Sequence, residues 1–322
     1  MSLKTKKNAA PPALILLSCS VFLMINGALA ANPPANADEL VSRHLDSIAS
    51  PAIRAGLKTR VAQGPVHYAI LVGGAGFLDG KAQMVSDGNK MQLMMKLPNN
   101  LYRGEQFIFD GEKDKVAFST AAQSRSALGS FVFVYDPIIR EGLIGGVLTT
   151  GWPLLNLDER KAKVTFEGLK KIDGQELYDL RYRPHKGTDL DINLYFDPET
   201  YRHVETVYTL TSSENFANYG PSTAVGNGPT SPGNGPGGVG VGSTQTGGTP
   251  ELAAARQYMN RYRLSEKFSD FKTADGVTLP THYDIQFTQE LQNGRTSLTE
   301  WDLKGLDISN NVGLESRNFD VK

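Results

Sequence analysis

Apolar and polar residues alternate along most of this chain. Met91, Leu93, Met95 and Leu97 alternate with Gln92 and Lys96, and Leu190, Ile192, Leu194 and Phe196 alternate with Asp191, Asn193 and Tyr195. A period of two is that of a strand with one buried face. Similar runs recur about every 8 to 12 residues, the spacing of successive hairpins. Turn-forming stretches divide them: Asp110-Gly111-Glu112-Lys113, Asp197-Pro198-Glu199-Thr200, Asp275-Gly276 and Asn293-Gly294. Phe107 and Phe109 precede the first turn, with Val116 and Phe118 after it. Val204, Tyr208 and Leu210 follow the second on one expected face. Tyr262 to Phe271, then Tyr283, Ile285 and Phe287, then Leu298 to Leu303 flank the last two. The pattern predicts hairpin after hairpin, an antiparallel sheet covered on one side. About 10 to 12 strands are expected, enough for such a sheet to curl toward a barrel. The fold class is mainly β (α+β).

Two stretches break the alternation. Asp38 to Ala49 has Leu40, Val41, Leu45 and Ile48 on one helical face, with Asp38 as N-cap and Pro51 past the end. Pro137 to Leu148 carries Ile138, Ile139, Leu143, Ile144, Val147 and Leu148, with only Arg140 and Glu141 charged, and Trp152, Leu154 and Leu155 follow. Read as a helix, it is apolar nearly all round and needs burial on most sides. The concave face of the curled sheet is the place for it.

Composition sets the ends and one interruption apart. Lys4, Lys6 and Lys7, an apolar run from Ala13 to Ile25, and Ala28-Leu29-Ala30 read as a cleavable secretory signal over residues 1–30, cut before Ala31. The run is shorter than the roughly 20 residues of a membrane span. The expected location is periplasmic. Retention of this segment as an N-terminal anchor, and lipoprotein processing at Cys19, are the alternatives. The apolar run continues past Cys19, which argues against lipidation. Cys19 is the only cysteine, so a chain cut at Ala30 has no thiol chemistry. Its 30 basic residues face 34 acidic ones, a net charge of −4 that speaks against nucleic-acid binding. Between Gly220 and Pro250 lie 11 of the 33 glycines and five prolines without an aromatic residue. Such a stretch cannot offset its own ordering entropy. A single domain over 31–322, interrupted by a disordered insertion over 212–255, is expected, with an interdomain linker as the alternative.

The search for chemistry returns little. His44, His67, His185, His203 and His282 show no metal-ligand spacing and read as solvent-facing or locally hydrogen-bonded. Gly73-Gly74-Ala75-Gly76 lacks the phosphate-loop pattern and reads as a hairpin turn. No Gly-x-Ser-x-Gly elbow occurs, and Asp189 and Asp191 fall on the wet face. No catalytic residue, metal or cofactor is expected. Arg181 and Arg183 share a strand face beside His185 and Lys186, a cluster for an anionic headgroup or an acidic partner, or a charged guard on an edge strand. Met84, Met91 and Met95 with Phe107, Phe109, Phe131 and Phe133 would line a soft apolar space or simply pack a core.

Two segments carry a family likeness. They are Leu194-Tyr195-Phe196-Asp197-Pro198-Glu199-Thr200 leading into Val204, and Phe268-Ser269-Asp270-Phe271-Lys272 followed by Asp275-Gly276-Val277-Thr278-Leu279-Pro280. With the leader, the early helix and the apolar interruption, the chain resembles the LolA/LolB-like outer-membrane lipoprotein-sorting proteins over 38–211 and 262–322. The resemblance implies a half-open, strongly curved antiparallel β-barrel whose apolar concave face is covered by short helices. It also implies a cavity for lipid or lipoprotein acyl chains. Ile139, Leu143, Ile144, Leu148 and Trp152 would be its lid. Inward strand residues such as Leu93, Leu194, Phe196, Ile285 and Phe287 would be its walls. A non-enzymatic lipid or lipoprotein carrier is the leading expectation; an envelope structural or interaction module without lipid, and a hydrolase, are the others. Envelope proteins are possible partners, with peripheral membrane contact.

Overall fold

The structure, a computed structural model, describes residues 33–118, 125–216 and 259–321. The segment read as a leader, with Cys19, and most of the Gly/Pro-rich stretch lie outside them. Among the described residues no helix is long and apolar enough to cross a membrane.

Thirteen strands form one antiparallel sheet, one more than the upper expectation. The first five are β1 (Thr59–Val72), β2 (Phe77–Asp87), β3 (Lys90–Lys96), β4 (Gly104–Phe109) and β5 (Asp114–Phe118). The next five are β6 (Lys163–Ile172), β7 (Gln175–Arg183), β8 (Asp191–Phe196), β9 (His203–Ser212) and β10 (Asn260–Ala274). The last are β11 (Val277–Glu290), β12 (Thr296–Lys304) and β13 (Asp307–Asn310). The order is β5-β4-β3-β2-β1-β12-β11-β10-β9-β8-β7-β6. Two meanders therefore meet where β1 pairs β12, and among the described residues β5 and β6 are the edges of a curved sheet that does not close. The long β1 takes β12 along His67–Val72 and β13 along Arg60–Gln63. The Gly73 to Gly76 stretch joins β1 to β2, as its composition predicted.

Helix α1 (Ala37–Ile48) forms where its periodicity placed it, but its N-cap is Asn36, whose side chain accepts from the Glu39 N–H at 2.9 Å. Asp38 instead lies in the first turn, where a carboxylate complements the helix dipole. Pro51 does not merely end α1. It opens a second helix, α2 (Pro51–Gly56), at a position where the missing N–H is harmless. Val204 departs from its expected face, because the β8–β9 register slips between Tyr195 and Phe196. Val204 is the extra residue of that bulge and packs with Leu177, Tyr195 and Val207 in a small outer cluster, whereas Tyr208 and Leu210 face the main core.

Because β5 and β6 are the two edges, the chain between them must cross the open side of the sheet. Residues 125–160 do so as a series of short pieces: α3 (Ala127–Val134), α4 (Pro137–Arg140), single 3-10 turns at Gly146–Leu148 and Pro153–Leu155, and α5 (Leu157–Arg160). The continuous helix expected over 137–148 is absent. Its glycines explain why. Gly142, Gly145 and Gly146 have φ of +69°, +79° and +47°, which no right-handed helix contains. At the other interruption, Ser212 ends β9 directly opposite Asn260 of β10, and Phe216 is buried, so ordered chain runs a few residues past the boundary read from composition.

Candidate functional site: a plugged concave face

The inner faces of the strands and the crossing segment form one apolar cluster. Ile138, Ile139, Leu143, Ile144 and Leu148 are at most 1% exposed and pack into it together with Trp152 and Leu154. We call residues 137–155 the plug. Ahead of it, α3 is capped by Ser126 Oγ, which accepts from the Gly129 N–H at 2.8 Å. The Phe131 ring of α3 meets Phe287 at 5.1 Å and Phe216 at 5.5 Å between centroids.

Polar contacts fix the plug at a few points. The Gly145 N–H donates to Glu266 Oε1 at 2.7 Å, Tyr208 OH donates to Oε2 at 2.7 Å, and Tyr283 OH donates to Oε1 as well. Glu266 is fully buried, and desolvation outweighs these three donors, pushing its carboxyl up to about 7. On the far side of the 3-10 turn, Arg60 Nη1 donates to the Val147 carbonyl at 2.6 Å and its Nε to Asn310 Oδ1 at 2.8 Å. Burial pulls the Arg60 guanidinium down to about 10, so it stays charged at neutral pH. Further on, Ser86 Oγ accepts from the Thr150 N–H at 2.9 Å.

Trp152 closes the plug on two buried histidines. Its Nε1–H donates to His44 Nε2 at 3.1 Å, so the proton of His44 sits on Nδ1 and is donated to the Tyr201 carbonyl at 3.0 Å. Desolvation brings His44 down to about 4 and His203 well below the ordinary imidazole range, so both are neutral at pH 7. The His203 ring lies 4.7 Å from Trp152 and 4.8 Å from Phe268.

The expected lining residues are brought together, with one exception. Met91, Leu93, Met95, Phe107, Phe109, Phe131, Leu194, Phe196, Ile285 and Phe287 are all buried in the same cluster as the plug. Phe133 is not. It is 47% exposed, because residues two apart share a face in a strand but not in a helix, and α3 turns it away from Phe131. A guanidinium, that of Arg125, lies over its ring. Beside the plug, a void of about 40 Å³ is lined in part by Ile48, Arg60, Val147 and Trp152. That is far less than the several hundred Å³ of an ordinary ligand pocket. The concave face is occupied by the chain's own residues.

Sequence reasoning missed Glu266, Arg60, His44 and His203 as interior groups. The signal was present for two of them. Glu266 shares strand parity with Tyr262, Leu264 and Phe268, and Arg60 shares it with Ala62, Val66 and Tyr68. A charge at an inward position of an alternating strand is the mark of a deliberate buried contact. A second constellation lies on the outer face, where His282 stands 2.8 Å from Ser269 Oγ and 2.7 Å from Asp302 Oδ1. The three come from β10, β11 and β12, and Lys304 holds the other Asp302 oxygen at 2.6 Å. On the outer, half-buried strand face this is cross-strand pairing. Arg181 and Arg183 are also on the outer side, in a cleft of about 670 Å³.

No protein-family model and no curated protein sequence matches the chain. Solved structures align with most of the chain. One is a LolA superfamily protein from Nitrosomonas europaea, with 13% identity, 88% of this chain and 97% of that one covered, and a TM-score of 0.41. Another is a DUF1329 family protein from Desulfovibrio piger, with 14% identity, the same coverages of 88% and 97%, and a TM-score of 0.41. A third is a domain assigned to the outer-membrane lipoprotein-sorting proteins from Vibrio parahaemolyticus, with 12% identity, coverages of 87% and 97%, and a TM-score of 0.39. At scores of this size a likeness carries no ligand, partner or residue role from one chain to the other.

Proposed function

We propose that this chain is a non-catalytic binding protein of the bacterial envelope that receives acyl chains of a lipid or lipoprotein on its concave face, which the plug fills in the unliganded state. One observation carries the reading. The segment that fills the apolar face is not a continuous helix or a strand of the sheet. It is a broken run with three left-handed glycines, pinned by the Gly145 contact to Glu266 and the Val147 contact to Arg60. With no long helix and no strand pairing of its own, the segment is held mainly by apolar burial, which a bound acyl chain could replace. An acyl chain would replace the contacts that Ile139, Leu143, Ile144 and Leu148 make with the sheet.

A tether tests this. Ser86 and Thr150 are adjacent through the 2.9 Å hydrogen bond, and a chain processed after Ala30 has no cysteine. The Ser86→Cys, Thr150→Cys pair would lock the plug when oxidised. Titration with a fluorescent fatty acid should show binding by the reduced protein and at least tenfold weaker binding by the oxidised one. Equal binding in both states, or none in either, would overturn the reading. The packed interior itself favours a second reading, an envelope interaction module without lipid. Native mass spectrometry of protein taken from the periplasm separates the two, since a module carries no co-purifying lipid.

A further inference from the structure

The outer edge of the sheet, at β6 and β7, offers a site of a different kind. Lys163 and Arg183 are directly opposite each other in the β6–β7 register, and both are exposed. Like charges in that position repel. Further along the same strand pair the lysines of β6 meet acids instead: Lys171 is opposite Glu176, and Lys170 Nζ lies 2.5 Å from the buried carboxylate of Asp179. The unmatched pair is therefore local to one end of the hairpin. Lys161 stands two residues before Lys163 with φ +54°, a conformation uncommon for a residue with a side chain. Among the described residues, Lys161, Lys163 and Arg183 make no ion pair. Arg181 is already matched by Asp191.

These cations line the cleft of about 670 Å³ that the turn from Pro184 to Leu190 forms against the strands. His185 and Thr188 add further polar groups to its wall. An edge strand guarded against aggregation needs lysines on β6 alone. It does not need an arginine facing them from the next strand, nor a cleft between. Two carboxylates share the wall, Asp191 paired with Arg181 and Asp189 accepting from the Tyr135 hydroxyl at 3.4 Å, so cations remain in excess around one concavity and focus a positive potential there.

We infer that this cleft binds a phosphate group, with Arg183 and Lys163 on its oxygens and Lys161 beside them. A guanidinium offers paired donors to a tetrahedral oxyanion, and ammonium groups supply point charge. The inference goes beyond the acyl-binding reading and stands without it, because it rests on the exposed cations of β6 and β7 and not on the apolar interior. The phosphate could belong to a soluble phosphomonoester or to an anionic lipid headgroup, and the experiment distinguishes them.

The test compares wild-type protein with the Lys163→Ala, Arg183→Ala double variant. Glycerol 3-phosphate and inorganic phosphate are titrated by calorimetry. Vesicles of phosphatidylglycerol in phosphatidylcholine, and of phosphatidylcholine alone, are tested by co-sedimentation. Wild-type binding to at least one anionic probe is expected, weakened tenfold or more in the double variant and weakened in both by added salt. Calorimetric binding identifies a soluble ligand; co-sedimentation only with the phosphatidylglycerol vesicles identifies a headgroup. The double variant should melt no lower than wild type, since removing facing cations relieves repulsion. No binding to any probe, or equal binding by the double variant, would overturn the inference.

Discussion

The strands and the plug are made of similarly apolar residues, yet they hold their shapes for opposite reasons. In the sheet, each strand is specified by its own alternation and by ladder partners of matching period, so a position can change without altering its neighbours' geometry. In the plug, local conformation follows from single contacts with distant elements: Gly145 with Glu266 of β10, Val147 with Arg60 of β1, Trp152 with His44 of α1. Periodic segments are robust and locally encoded. Aperiodic buried segments depend on a few tertiary contacts, and they are where a fold can be switched.

The largest difference should appear when one glycine in each region is replaced by alanine. Gly142 in the plug has φ +69°, and an added Cβ would sit 2.2 Å from the Gly151 carbonyl oxygen, a backbone atom with little room to move. Gly168, at the β6 bulge, has φ +87° but nothing within 4 Å of the same position. Gly168→Ala therefore meets only the left-handed penalty, about 1 to 2 kcal/mol. Gly142→Ala adds a steric clash and should cost about 3 kcal/mol or more. Urea unfolding of the two variants gives the comparison directly. Equal losses would mean that the plug yields as readily as an open bulge.

The same division governs what the sequence discloses. The turns at Asp110 to Lys113, Asp275-Gly276 and Asn293-Gly294 are legible because their residue types dictate a reversal, and every hairpin they predict is present. Phe131 and Phe133 are not, since a short apolar run fits a strand or a helix until its partners are known. For 137–148 the apolar count suggested a helix, whereas the glycines carried the decisive information about left-handed backbone. The buried carboxylate of Glu266 was detectable by parity but not its function, because its partners Tyr208, Tyr283 and Gly145 lie on separate elements. Nothing in the spacing of Lys163 and Arg183 could reveal that they face each other.

A smaller effect, with a sign that depends on pH, is expected at Glu266. Its carboxyl is raised to about 7 by burial, so between about pH 4.5 and 7 the folded chain keeps a proton that the unfolded chain has released. The stabilisation is fully present below the unfolded pKa and is lost as pH rises through 7. Glu266→Gln removes this titration while keeping an acceptor for Gly145 and Tyr283. Relative to wild type, the variant should be near neutral at pH 5 and more stable by about 2 to 3 kcal/mol at pH 8. Around it, Tyr208 and Tyr283 are raised above their ordinary range and Gly145 does not titrate, so no other group touching it changes charge in this window. Glu105 and Asp284 are also pushed up to about 7, and His44 and His203 titrate with the opposite sign, but these cancel in the difference between the two proteins. Thermal melts at pH 5, 6, 7 and 8 check it; a constant offset would show that Glu266 is ionised throughout.

The smallest effect should come from the most conspicuous stretch of sequence. Replacing residues 220–250 by a few Gly/Ser residues should move the melting temperature by no more than about 3 degrees, because closing a long loop costs free energy only as the logarithm of its length. The strands on either side do not depend on the stretch for alignment: Ser212 of β9 and Asn260 of β10 are direct partners, and the pairing continues from there to Lys267 opposite Glu205. The replacement keeps Phe216, whose ring packs on Phe131 and Tyr262, and Glu214, whose carbonyl accepts from Asn260 Nδ2 and Tyr262 OH at 2.6 Å. Cutting back through Phe216 should be costly, about 3 to 5 kcal/mol for the loss of a fully buried phenylalanine. Together the two deletions locate the edge of the core within a few residues. A melting temperature that falls steeply with the first deletion alone would mean that the glycine-rich stretch packs against the domain, and that composition is a poor guide to order in this chain.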